Sequence, residues 1–261
     1  MSGLTLLCVH GYPLDRRMWG PLAGRLERGG GLRVAASDLR GRGASKRPPA
    51  DVHAMSLFAD DLAADLPSLV PGDGPFLLCG LSMGGYVAFE FLRRHGARLR
   101  GRLRGLVLCD TRATGDDAAG RAKRKDASEA IRRSGIGAAF EAMAPKLLSP
   151  ASKGTAAEAL VRDMILATPP ATAMADLAGL ALRSDAFDVL GSFDRPVLVV
   201  CGEDDAITPA ADAEAMAAAA TSAPFVRLFT VPGAGHMAPL ERPDDVADAI
   251  EALISRLPGS A

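Results

Sequence analysis

A chain of 261 residues that is 48% hydrophobic can form one large domain with a buried core, or a core domain carrying an inserted one. Its formal net charge of -1 provides no field to recruit nucleic acid or anionic lipid. No stretch reaches the run of about 18–20 unbroken apolar residues that a membrane helix requires, so neither a nucleic-acid nor a membrane role is expected.

The first apolar run, Leu4–Val9 (LTLLCV), reads as a strand and leads directly into His10-Gly11-Tyr12-Pro13. It has no basic start and no small-residue cleavage site, which points to a cytoplasmic protein. A helical pattern over Met18–Arg28 precedes a second strand at Arg33–Ser37, and a second helix spans Leu57–Leu69. Phe76–Cys79 is a third strand, Gly84–His95 a helix, and Leu106–Cys109 a fourth strand. This rhythm breaks between Gly115 and Asp188, where Ala, Met and Leu mix with charged residues and Pro145, Pro150, Pro169 and Pro170 punctuate helical stretches. It resumes with the strand Val197–Cys201, the helix Ala210–Ala220, the strand Phe225–Thr230 and the helix Pro243–Leu257. Strands alternating with helices imply an α/β fold with a mainly parallel sheet and right-handed crossovers. The expected organisation is a core formed by residues 1–114 and 189–261, with a helical lid inserted at 115–188.

Cys8, Cys79, Cys109 and Cys201 all lie in apolar strand runs and lack the paired spacing of a zinc site, so buried thiols are expected. The basic stretches Arg93–Arg104 and Arg121–Lys125 read as solvated helix ends and faces.

The strongest chemical signal is Gly80-Leu81-Ser82-Met83-Gly84, placed between a strand and a helix. A strand turning sharply into a helix strains its central residue, needs small neighbours, and exposes the serine hydroxyl at a helix N-terminus. A serine nucleophile needs a base. Of the four histidines, His236 follows the last strand on the same rim of the sheet as Ser82, where ligands bind. His53 lies in a Pro/Ala-rich loop and reads as an ordinary loop histidine, and His95 sits at the far end of the helix that follows the serine. The base in turn needs a carboxylate. Glu203, Asp204 and Asp205 follow the strand Val197–Cys201, and Asp110 ends the preceding strand; the residues alone leave the choice open.

Taken together, these segments resemble the α/β-hydrolase fold family along nearly the whole chain. His10–Asp15 is similar to its oxyanion loop, and Asp38-Leu39-Arg40-Gly41-Arg42-Gly43-Ala44-Ser45 to its D-x-x-G-x-G-x-S turn. Gly80–Gly84 resembles the nucleophile elbow, Gly202–Pro209 the acid turn, and Gly235-His236 with Glu241-Arg242-Pro243 the histidine loop. The resemblance selects Asp205 as the acid and implies a Ser82–His236–Asp205 triad. It also implies an oxyanion hole from the backbone N–H groups of Tyr12 and Met83, with His10 in a structural role. A serine at the elbow argues against relatives whose nucleophile is an aspartate.

The H-G-aromatic-Pro-Leu-Asp loop is similar to that of small carboxylesterases, enol-lactonases and cofactor-free haloperoxidase-like members. The activity so implied is hydrolysis of small esters or lactones with no metal or organic cofactor. Perhydrolysis, carbon–carbon bond hydrolysis and a slow-turnover receptor role are the alternatives. Met143, Leu147 and Met164 are candidates either for an acyl pocket or for packing within the lid. Only nine residues precede His10, so a sheet of about six strands is expected, without the two that usually open the family's fold. That leaves the Arg33–Ser37 strand at an open edge, compatible with a monomer or a homodimer.

Overall fold

The computed structural model describes residues 3–28 and 32–257. Six strands form one parallel sheet: β1 (Leu4–Val9), β2 (Leu32–Ser37), β3 (Phe76–Leu81), β4 (Leu103–Cys109), β5 (Val197–Gly202) and β6 (Val226–Val231). Their order is β2-β1-β3-β4-β5-β6, so β2 occupies an edge as expected. All residues of β1, β3 and β5 are buried, because helices cover both faces of the sheet and leave no solvated side to select polar residues. The edge strands differ: β2 carries Arg33 and β6 carries Arg227, and both expose part of their length.

On one face lie α1 (Gly20–Arg28) and the last helix, α11 (Pro243–Ile254), which ends at Ile254 rather than Leu257. Leu22, Leu26, Val246, Ile250 and Leu253 fill the layer between these helices and the sheet. The opposite face is covered by α2 (Met55–Leu69), α3 (Met83–His95) and α9 (Ala210–Ala219), through Phe58, Leu62, Val87, Phe91 and Met216. A single 3-10 turn, Arg16–Trp19, replaces the start of the expected helix at Met18. Its N-cap, Asp15, accepts the Arg17 N–H.

Five helices separate β4 from β5: α4 (Ala118–Ser134), α5 (Gly137–Leu147), α6 (Ala156–Ala167), α7 (Pro170–Ala181) and α8 (Phe187–Ser192). A four-residue helix, α10 (Ala238–Glu241), follows β6. Helix α8 packs on α3 and α9, against the body of the sheet. Helix α7 is pinned by a fully buried cluster in which Asp176 pairs with Arg42 and accepts from His53 Nδ1 at 2.7 Å. The His53 backbone N–H also reaches Ala175 O, and Thr172 Oγ1 reaches Gly41 O.

The four cysteines are free and buried, and Cys8 stands in register with Cys79 across β1 and β3. Within the basic stretches, Arg93 pairs with Asp188, Arg94 with Asp60, and Arg124 with Asp116. No single helix among the described residues is long and apolar enough to cross a membrane.

Candidate active site

Because the sheet is parallel, the loops after β1, β3, β4, β5 and β6 converge on one rim, and this rim gathers the residues singled out in the sequence. Ser82 lies between β3 and α3 with φ 52 and ψ -115, a left-handed backbone that a serine adopts only when its surroundings impose it. The neighbouring glycines show what imposes it. A Cβ at Gly80 would overlap the Gly84 carbonyl, and one at Gly84 would overlap the Val9 carbonyl, so strand and helix approach too closely for any side chain. Two hydrogen bonds hold the strained peptide: Ser82 N–H donates to Cys109 O at 3.0 Å, and Thr111 Oγ1 donates to Ser82 O at 2.8 Å.

The three candidate catalytic side chains come together. His236 Nε2 is 2.9 Å from Ser82 Oγ, and its Nδ1 lies 2.9 and 3.0 Å from the two oxygens of Asp205. Asp205 also accepts from the N–H groups of Ile207 at 2.8 Å and Thr208 at 3.0 Å, and from Thr208 Oγ1 at 2.6 Å. Burial works against its charge, but the hydrogen bond from His236, the imidazole's charge and the Thr208 donors together hold the carboxyl below its ordinary pKa. With Asp205 ionised, the Nδ1 proton is fixed toward it and the Nε2 lone pair faces Ser82.

Of the candidate acids, Asp205 is the one whose carboxyl lies against the imidazole. Glu203 and Asp204 are exposed, and Glu203 accepts the Gly233 N–H, so neither meets the imidazole. Asp110 is buried behind the site and accepts instead from the backbone N–H groups of Gly202 at 2.8 Å and Ala238 at 3.0 Å. Asp110, Cys201 and Asp205 place ligand atoms within 4.8 Å of one another. The oxygens of both carboxylates are engaged by hydrogen bonds within the protein, and burial, then the charges of Asp110 and Asp205, pushes the Cys201 thiol up to about 12.

Met83 is the first residue of α3, so its N–H belongs to the unpaired set at a helix N-terminus. Tyr12 follows Gly11, which lies against Leu81 and Ser82. The loop that carries Tyr12 thus passes beside Ser82, and Met83 follows Ser82 directly. His10 does not touch Ser82. Its Nδ1 donates to Gly11 O at 2.9 Å and its Nε2 accepts the Leu39 N–H at 3.0 Å, tying the loop after β1 to the loop after β2. His53 belongs to the α7 cluster, and His95 bonds Asp60 at 2.8 Å, away from the rim.

The buried His10 yields a testable pH dependence. Burial, followed by the charge of Arg42, lowers its pKa from 6.5 to about 4. Below 6.5 the unfolded chain binds a proton that folded His10 refuses. Its contribution to stability is therefore complete above pH 6.5 and declines as pH falls toward 4, by about 3 kcal/mol over the window. Urea midpoints taken between about pH 7 and 4.5 should fall accordingly, and His10→Gln, though less stable throughout, should flatten the slope. A wild-type midpoint that stays level across this range contradicts the assignment.

Several supporting residues were not identified from the sequence. Thr208 orients Asp205 and lies 3.3 Å from His236 Nδ1. Glu241 accepts the N–H groups of Gly235 at 2.9 Å and Ser149 at 2.8 Å, bracing the histidine loop against the segment after α5. A threonine three residues after the acid, and a glutamate within the quoted histidine-loop motif, were the signals present.

A profile described as the Alpha/beta hydrolase family matches residues 6–249. The pimeloyl-[acyl-carrier protein] methyl ester esterase of Aromatoleum aromaticum is 30% identical over 273 aligned residues, spanning 97% of this chain and 99% of its own length. The protein of that name from Xanthomonas campestris pv. campestris is 38% identical over 90 residues, so this match spans only 34% of either chain. Among solved structures, a thermophilic esterase from Thermogutta terrifontis has a TM-score of 0.86 at 40% identity, covering 97% of this chain and 90% of that one. The enol-lactonase from Burkholderia xenovorans has a TM-score of 0.82 at 21% identity, covering 98% and 92%, a likeness of fold.

Proposed function

The chain belongs to the alpha/beta hydrolase family, and from that premise we propose that it hydrolyses small carboxylic esters, lactones included, through an acyl-enzyme on Ser82. The observation that carries the reading is the unbroken chain of contacts from Ser82 Oγ to His236 Nε2 and from His236 Nδ1 to Asp205. The printed activities of the similar esterases support the same class of substrate.

In this mechanism Ser82 Oγ attacks the carbonyl carbon as its proton passes to His236 Nε2. Asp205 stabilises the imidazolium and keeps it oriented. The Tyr12 and Met83 N–H groups receive the developing oxyanion, each such donor contributing roughly 3 kcal/mol at the transition state. The C–O bond then breaks, the alcohol leaves with the proton from His236, and water repeats the sequence to release the acid. No metal or organic cofactor enters the scheme.

Helices α4–α7 are the lid in this reading, since they rise between β4 and β5 at the same rim. Half-buried Met143 is available to an acyl chain, whereas Leu147 and Met164 are fully buried and belong to the packing beneath.

The test is turnover of p-nitrophenyl esters from acetate to decanoate by wild type and by Ser82→Ala. The substitution is expected to remove about five to six orders of magnitude of kcat. Folded wild-type protein with no serine-dependent turnover on any ester would overturn the reading.

A further inference from the structure

Four consecutive residues at the end of β4 touch all three limbs of the site. Cys109 O accepts from Ser82 N–H, and Thr111 Oγ1 donates to Ser82 O. Arg112 donates to Ile207 O in the acid turn. Between them Asp110 bridges the other two limbs, with one oxygen on Gly202 N–H and the other on Ala238 N–H. We propose that Asp110 is a positioning residue for His236: its carboxyl ties the acid turn and the histidine loop to β4, and so sets the imidazole at bonding distance from Ser82. The inference rests on the reading of Ser82 and His236 as nucleophile and base.

The placement of the two donors favours this role. Gly202 closes β5 and begins the turn that carries Asp205; Ala238 follows His236 by two residues and begins α10. The turn and the loop are already in backbone contact, since Asp204 N–H donates to Ala234 O at 2.8 Å and a Cβ at Gly202 would overlap the Gly235 carbonyl. They therefore form one paired unit, and Asp110 holds this unit from behind, on a central strand adjacent to the elbow strand. It does so from a left-handed backbone, φ 44, which an aspartate adopts at a local penalty. Neighbouring Ser82 shows the same distortion, φ 52. An aspartate serving only to fill the core would need neither the strain nor two acceptors aimed at two different catalytic loops.

Burial, and then the charge of Asp205, pushes the Asp110 carboxyl well above the usual carboxylate range. Asp205 is held in the opposite direction by His236 and Thr208. The Gly202 and Ala238 N–H groups work against the rise at Asp110, and its acceptor role stands on these two hydrogen bonds.

Asp110→Asn is the first variant. An amide offers one acceptor oxygen and turns its NH2 against the second backbone donor, so one of the two ties is lost. Two readouts that a merely structural role would not move are the rate of Ser82 labelling by a fluorophosphonate and the downfield proton resonance of His236 Nδ1–H bonded to Asp205. Labelling should slow by about a hundredfold, the effect of misplacing a reacting group by about an ångström, and the resonance should broaden or shift. On an ester substrate, kcat should fall in the same ratio with KM changed by less than about threefold.

If Asp110→Asn fails to fold, replacing the 237–238 amide by an ester, with lactic acid in place of Ala238, removes the N–H donor without altering any side chain. The same slowing is expected. Labelling at the wild-type rate with an unchanged resonance, in either variant, would overturn the proposal, as would slow labelling beside an intact resonance. Labelling requires no ester turnover, so an inactive wild type would strike the proposed function while the labelling ratio still decides the role of Asp110.

Discussion

Asp205→Asn is expected to lower kcat by about four orders of magnitude and His236→Ala by about five to six, with KM nearly unchanged in both. The aspartate effect follows from a proton position rather than from lost packing. An asparagine here can keep its oxygen on the Ile207 and Thr208 N–H groups, as Asp205 Oδ1 does now. Its NH2 then points at His236 Nδ1 and requires a lone pair there, which moves the imidazole proton to Nε2. That nitrogen lies 2.9 Å from Ser82 Oγ and must accept the serine proton, so the base is present but in the wrong tautomer. Steady-state kinetics of both variants on one ester, with thermal unfolding as a check on folding, measure the effect. A loss of only a few-fold in Asp205→Asn would move the acid role elsewhere.

The second large effect concerns stability. Asp176→Ala should destabilise the protein by about 3–5 kcal/mol, because it strands the charge of Arg42 in the interior. The side chains of Arg42 and Asp176 are 1% and 0% exposed, so water cannot take the missing partner's place. For a chain of this size the expected fall in Tm is on the order of 10 °C. Replacing both partners, Arg42→Met with Asp176→Leu, removes the stranded charge but leaves the buried His53 Nδ1–H without its acceptor, so it should restore only part of the loss, to within about 2–3 kcal/mol of wild type. Helix α7 would stay attached in the double variant through the Ala175 and Thr172 hydrogen bonds. Calorimetry on the two variants decides the matter: a single substitution milder than about 1 kcal/mol would mean that Arg42 reaches solvent.

Much of the architecture was legible because it depends on local pattern. The interior strands are continuous apolar runs, and the elbow is a glycine–serine–glycine spacing whose steric reason is contained within a few residues. The candidate base was found by the same logic, since the loop after each parallel strand must return to one rim. Where the residues were silent, the missing information was non-local. Glu203, Asp204 and Asp205 are chemically equivalent in sequence, and only the direction of the turn buries one of them against His236. Asp110 was a plausible acid until the fold aimed its oxygens at Gly202 and Ala238. The Arg42–Asp176–His53 cluster joins segments with no shared pattern, and nothing in their spacing announces an ion pair. In the two basic stretches, by contrast, Arg93, Arg94 and Arg124 each pair with an acidic neighbour, in keeping with a reading as helix ends and faces.

The strand order also carries a consequence for how the molecule assembles. Four adjacent strands, β2-β1-β3-β4, are complete by Cys109, and during synthesis they emerge one after another with short intervening helices. The next pairing, Val107 with Leu198, must close over the whole of α4–α8, and such distant closures come late. Ser82 lies on the early side of that divide, His236 and Asp205 on the late side. Recovery of catalysis after dilution from denaturant therefore reports the joining of the two halves of the sheet, while circular dichroism, which sees helices and strands wherever they form, runs ahead of it.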